Sequence, residues 1–128
     1  MKAKRVNWKK WEELLEFLKK REPKAVNMHP YLNIPGFSNC DFNPGKFKKA
    51  PPCGTVGCIG GWASILFSTP RKYINLETAI DLDNAQTAHV IWAGWRQDRN
   101  SRMVELGKRE VIRYMTKALK EKDVMVKL

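Results

Sequence analysis

The chain has 128 residues, enough for one domain with its own core, since chains of this length bury roughly two-thirds of their unfolded surface. Hydrophobic residues make up 43%, and 24 Lys and Arg against 13 Asp and Glu leave a net charge of +11. This composition excludes an acidic, low-complexity chain, and no apolar run nears the ~20 residues of a bilayer span.

The charge is uneven: residues 1–22 carry +4, 23–54 carry +3, 55–74 carry +2, 75–95 carry −3 and 96–128 carry +5. Such a balance favours anionic partners, whether nucleic acid, nucleotides or an acidic protein surface. Met1-Lys-Ala-Lys-Arg runs into Asn7 and Trp8 with no apolar stretch, so no export signal is expected. The three cysteines then read as reduced thiols of a cytoplasmic protein.

The first predicted helix starts at Asn7 as N-cap. Trp8, Trp11, Leu14, Leu15 and Leu18 recur at helical spacing, and Pro23 ends it. Residues 23–54 hold six of the seven prolines with Tyr31, Phe37, Phe42 and Phe47 between them. Asn43-Pro44-Gly45-Lys46 suits a type II turn, so a short hairpin is expected here within an irregular connector or binding arm. A second helix is predicted from about Thr55, its cap, to Ser68, closed by Thr69-Pro70. A short helix follows over Leu76 to Leu82. Asp83 and Gln86 form a capping box, and the helix it opens carries Ala85, Ala88, His89, Trp92 and Trp95. The last helix spans about Lys108 to Lys122, with Val111, Ile112, Met115, Ala118 and Leu119 as its buried stripe. Residues 123–128 read as a tail that either docks or stays loose. The expected fold is mainly α: a single small domain, 1–128, of about four to five helices with an irregular or short β-hairpin segment at 23–54.

The least ordinary stretch is "PPCGTVGCIGGWASILFSTP", from Pro51 to Pro70. Glycine is about 1 kcal/mol worse than alanine inside a helix, so Gly57, Gly60 and Gly61 need a compensating gain. One candidate is close packing: on a helix, Gly57 and Gly61 share a face and admit another helix, within the chain or across the two-fold axis of a homodimer. The other is an anion near the unpaired N–H groups of the helix start. The pattern is neither a P-loop nor a dinucleotide fingerprint. Cys40, Cys53 and Cys58 with His29 or His89 would supply three thiolates and an imidazole. Their spacing is wider than structural zinc uses, so no metal is expected. No nucleophile–base pair or carboxylate pair stands out, so neither a catalytic residue nor a cofactor is assigned.

"CGTVGCIGGWA", with "DF" upstream and "AIDLDNAQTAHVIWAG" downstream, resembles a family of small uncharacterised proteins of bacteria and their phages. The family pattern centres on C-G-T-x-x-C-I-A-G-W-A. Cys53, Gly54, Thr55, Cys58, Ile59, Gly61, Trp62 and Ala63 match it, and Gly60 stands where alanine is usual. In the later element Leu82 and Gln86 match, and Thr87 replaces alanine. The resemblance covers roughly residues 40–95 and carries no activity over. It implies a phage setting, the host cytoplasm, and a role against host defence.

Basic residues cluster beside aromatics twice. One cluster is Trp92, Trp95, Arg96, Arg99 and Arg102, where the three arginines share one side if the helix continues. The other is Lys46, Phe47, Lys48 and Lys49, to either of which Arg71 and Lys72 can add. Indole faces stack on bases and guanidinium forks bind phosphate bidentately. The expected ligand-binding set is Lys46, Lys48, Thr55, Gly60, Arg71, Trp95, Arg96, Arg99 and Arg102. The sequence therefore points to a binding protein that sequesters a phosphate-bearing ligand such as a nucleotide immune signal. Two alternatives stay open: a DNA or RNA binder with a basic face, and an inhibitor that docks on a host protein. No membrane partner is expected.

Overall fold

The structure, a computed structural model, describes residues 5–27, 32–33, 54–92, 95–97, 103–105 and 107–126. Among these, the helices are α1 (Trp8–Lys19), α2 (Ile59–Phe67), α3 (Leu76–Ile80), α4 (Asn84–Trp92) and α5 (Lys108–Glu121). Short strands are β1 (Leu32–Asn33), β2 (Val56–Gly57), β3 (Trp95–Gln97) and β4 (Met103–Glu105). The fold is mainly α. No helix among the described residues is long and apolar enough to cross a membrane.

The core grows from helix faces that cover one another. Trp11, Leu14, Leu15 and Leu18 recur at i, i+3, i+4 and i+7 along α1, and all are buried. Facing them, α5 buries Val111, Tyr114, Met115 and Ala118. At this seam the Trp11 indole N–H donates to the Met115 carbonyl (3.0 Å), and the ring meets Tyr114 edge-on at 6.0 Å. The indole therefore buries its area without orphaning its one donor. Each buried Leu or Val adds about 1.5–3 kcal/mol. Tyr114 was missing from the predicted stripe, and the predicted Ile112 and Leu119 are only half-buried at its edge.

The α1 ends are tied at both sides. The Asn7 side-chain oxygen accepts from the Lys10 N–H (3.1 Å), and the Asn7 N–H donates to the Ile80 carbonyl (2.8 Å). At the other end the Lys108 ammonium donates to the Lys19 carbonyl (2.8 Å) and to that of Arg21. A cation thus sits where the last carbonyls of α1 and the negative end of its dipole lie.

The helix α2 is apolar nearly all round and accordingly central. It begins later than the predicted Thr55, because Val56–Gly57 is a strand and Cys58 is the cap, its Sγ accepting from the Gly61 N–H (3.4 Å). Gly57 pairs with Leu32 on one side and bridges Val26 on the other. Gly57 and Gly61 therefore do not share a helical face. Gly54, at φ 88, turns the chain into β2 through a conformation that glycine alone adopts freely. The Trp62 N–H donates to the Ala25 carbonyl (2.8 Å), locking α2 to the turn after α1.

The predicted capping box forms: Asp83 Oδ1 accepts from the Gln86 N–H (2.7 Å) and Gln86 Oε1 accepts from the Asp83 N–H (3.0 Å). The helix α4 ends at Trp92, and Trp95 lies on β3 rather than in the helix. Val90 of α4 is buried, and Ala85 and Ala88 face outward. The segment after α5 is not loose up to Val126. Lys122 turns the chain through a left-handed residue (φ 55), and Val124 and Val126 bury. The Tyr114 hydroxyl donates to the Val124 carbonyl (2.6 Å), and His89 Nε2 meets the Val126 carbonyl (2.9 Å). The hairpin expected around Asn43 to Lys46 lies outside the described residues.

Candidate functional site

A surface cation either serves the fold or remains available to a partner. Several here serve the fold. The Arg21 guanidinium lies over Phe17 (4.4 Å) and Trp62 (5.7 Å), Lys10 over Phe67 (5.3 Å), and Lys122 over Trp8 (5.5 Å). Lys19 pairs with Glu16 (3.1 Å), and Lys108 caps α1.

A different set lies on α5. Arg109, Arg113 and Lys120 stand four and seven residues apart, which places them within about 40° of arc on a helix. They lie opposite the stripe of Val111, Tyr114, Met115 and Ala118, and all three are exposed. None of the three has a hydrogen bond or ion pair to the described residues. Lys117, at the edge of this row, does have a partner. Glu110 and Glu121 flank the row on one side, and half-buried Ile112 and Leu119 on the other. An open depression of about 510 Å³ follows it, lined by Ile112, Arg113, Thr116, Lys117, Lys120 and Glu121. The first and last cations are separated by eleven residues of helix, or ~16 Å of axis. The row can therefore hold several anionic groups in line.

The residues predicted from sequence fare differently. Thr55 is buried, and Gly60 is buried in the first turn of α2. The Gly61 N–H that an anion would use is taken by Cys58 Sγ. Burial pushes the Cys58 thiol up, against the pull of the N–H groups of Gly61, Gly60 and Cys58 itself. Arg71 is exposed in the Thr69–Lys72 turn, at the opposite end of α2 from Thr55 and Gly60. Trp95 and Arg96 lie on β3, paired with Glu105 and Val104 of β4, so Arg96 does not continue the helix α4. Lys46, Lys48, Arg99 and Arg102 lie outside the described residues, as do Cys40, Cys53 and His29. Among the described residues no three His, Cys, Asp or Glu side chains converge as a metal site. His89, bonded to Val126 and 6.1 Å from the Tyr114 ring, braces the chain that follows α5.

The α5 row has no tryptophan beside it in the sequence, so the pairing of arginine with indole does not point to it. The available signal was the phase of Arg109, Arg113 and Lys120, with no acid among them. No family model matches the chain, and neither a curated protein nor a solved structure matches it.

Proposed function

We propose that the protein binds a phosphate-bearing ligand through the outward row of α5. One observation carries this reading: Arg109, Arg113 and Lys120 are aligned, exposed and without a partner among the described residues, while five other cations are engaged by aromatic rings, a carboxylate or a helix end. Exposed ion pairs contribute about 0–1 kcal/mol at most, so the fold has little use for the row. A phosphate gains charge-assisted hydrogen bonds there, each worth about 1.5–3 kcal/mol. At the start of α2, the alternative anion position, the Gly61 N–H is already engaged by Cys58 Sγ. In the phage setting that the Cys53–Ala63 motif resembles, the occupant would be a host phosphate compound held away from its receptor.

The test is binding of tripolyphosphate, followed by calorimetry, to the parent and to the triple variant Arg109→Gln, Arg113→Gln, Lys120→Gln. The parent binds, and the variant binds at least tenfold more weakly while melting nearly as the parent does, since exposed substitutions usually stay within about 0.5 kcal/mol. Equal affinity in a folded variant removes α5 from the reading. Absence of binding by the parent removes the reading itself.

A further inference from the structure

Resting on that phosphate-binding reading, we infer that the occupant of α5 is a nucleic-acid strand, engaged by one sugar-phosphate backbone along the helix and without readout of base sequence. The length of the row is the first argument. Its end cations lie ~16 Å apart along the axis, so Arg109 and Lys120 cannot both reach one phosphate group. A nucleic-acid strand supplies a charge about every 3.4 Å of helix rise, enough to occupy every position of the row.

The width is the second argument. On α5 the three cations form one line, and Glu110 and Glu121 run beside it, with Lys117 at the edge between them. An α-helix with its side chains is about 10–12 Å across and fills a major groove about 12 Å wide. Inserted there, α5 would turn its acidic flank to the phosphates of the second strand. Laid on the outside of one backbone, it meets phosphate only with the cationic line. The residue types agree: α5 contains no Asn or Gln, the side chains that pair bidentately with adenine. Arg109 and Arg113 would reach guanine only from within the groove that the acidic flank disfavours. Contacts confined to the backbone position a strand but carry no sequence information.

The experiment measures fluorescence anisotropy of labelled oligonucleotides of two, four, eight and sixteen residues, in two homopolymer sequences, from 50 to 200 mM KCl. Affinity should rise more than tenfold from the dinucleotide to the octanucleotide and differ little between sequences. For three contacts to a single strand, log Kobs should fall with log salt at a slope of about −2, and each of Arg109→Gln, Arg113→Gln and Lys120→Gln should reduce it by about 0.7. Glu121→Gln should leave single-strand and duplex binding in the same ratio. A mononucleotide bound as tightly as the octanucleotide would sink the strand while leaving phosphate binding intact. Preference for one sequence by more than tenfold, or duplex binding selectively tightened by Glu121→Gln, would mean groove entry and overturn the geometry. An unchanged slope in the folded triple variant would remove α5 as the contact. If no oligonucleotide binds while tripolyphosphate does, the strand falls and the phosphate reading stands; if tripolyphosphate does not bind either, both fall.

Discussion

Tyr114 shows how one side chain can join three parts of the molecule. Its ring packs on Trp11 and lies tilted 6.1 Å from His89, and its hydroxyl fastens Val124. Burial first, and the Asp123 carboxylate second, push the phenol well above its ordinary value near 10. The native state thus keeps a proton that the unfolded chain releases above about pH 10. The resulting stability is fully present below that pH and is lost as pH rises towards the folded value. In urea unfolding between pH 9 and 11.5, the parent's loss beyond that of Tyr114→Phe should set in near pH 10 and approach about 1.4 kcal/mol per pH unit above it. Parallel curves would show that the phenol is not held protonated. At neutral pH Tyr114→Phe should itself be about 1–3 kcal/mol less stable, because the Val124 carbonyl loses its donor in a buried place.

At the scale of elements, what sequence could reveal depended on how far each cause reached. The caps at Asn7 and Asp83 act within three residues, so they are legible from the chain alone. Asp83→Ala should lower stability by about 0.5–2 kcal/mol, and Asp83→Asn by much less, in thermal or urea melts. If the two variants behave alike, the side-chain oxygen is not the cap. The strand at Val56–Gly57 was not legible, since its partners are Leu32 on one edge and Val26 on the other. Those pairings outweigh the local capacity of Thr55 to cap a helix and hand the cap to Cys58. On α4 the structure leaves Ala85 and Ala88 exposed and covers Val90, a choice that rests on neighbouring elements far off in sequence. Of the candidate site, the sequence revealed the excess of cations but not which of them the fold employs. That division needs Phe17, Phe67 and Trp8 placed beneath Arg21, Lys10 and Lys122.

Across the whole molecule, the apolar faces of α1, α2 and α5 form one core, completed by Val124 and Val126 beyond the last helix. Ending the chain after Lys122 removes both valines and orphans the Tyr114 hydroxyl. Two buried valines at about 1.5–3 kcal/mol each make this a loss of several kcal/mol, readable as a large drop in the urea midpoint. A midpoint within error of the parent would mean that the closing segment adds nothing to the core. The basic row of α5 faces away from this seam, so core stability and ligand affinity should vary independently between variants.

The bond from Trp11 to Met115 spans 104 residues, and that from Lys108 to Lys19 spans 89. During synthesis, α1 therefore leaves the ribosome long before its partner exists. At about 5–20 residues per second, some 5–20 s pass between the two halves of that contact. Throughout the interval Trp11, Leu14, Leu15 and Leu18 lack their main cover. Closing so long a loop is entropically demanding, which places the α1–α5 pairing late and makes folding slower than in a bundle of adjacent helices. A nascent chain stalled before Lys108 should accordingly remain open to protease at α1 and be a substrate for chaperones, whereas the released chain is resistant there.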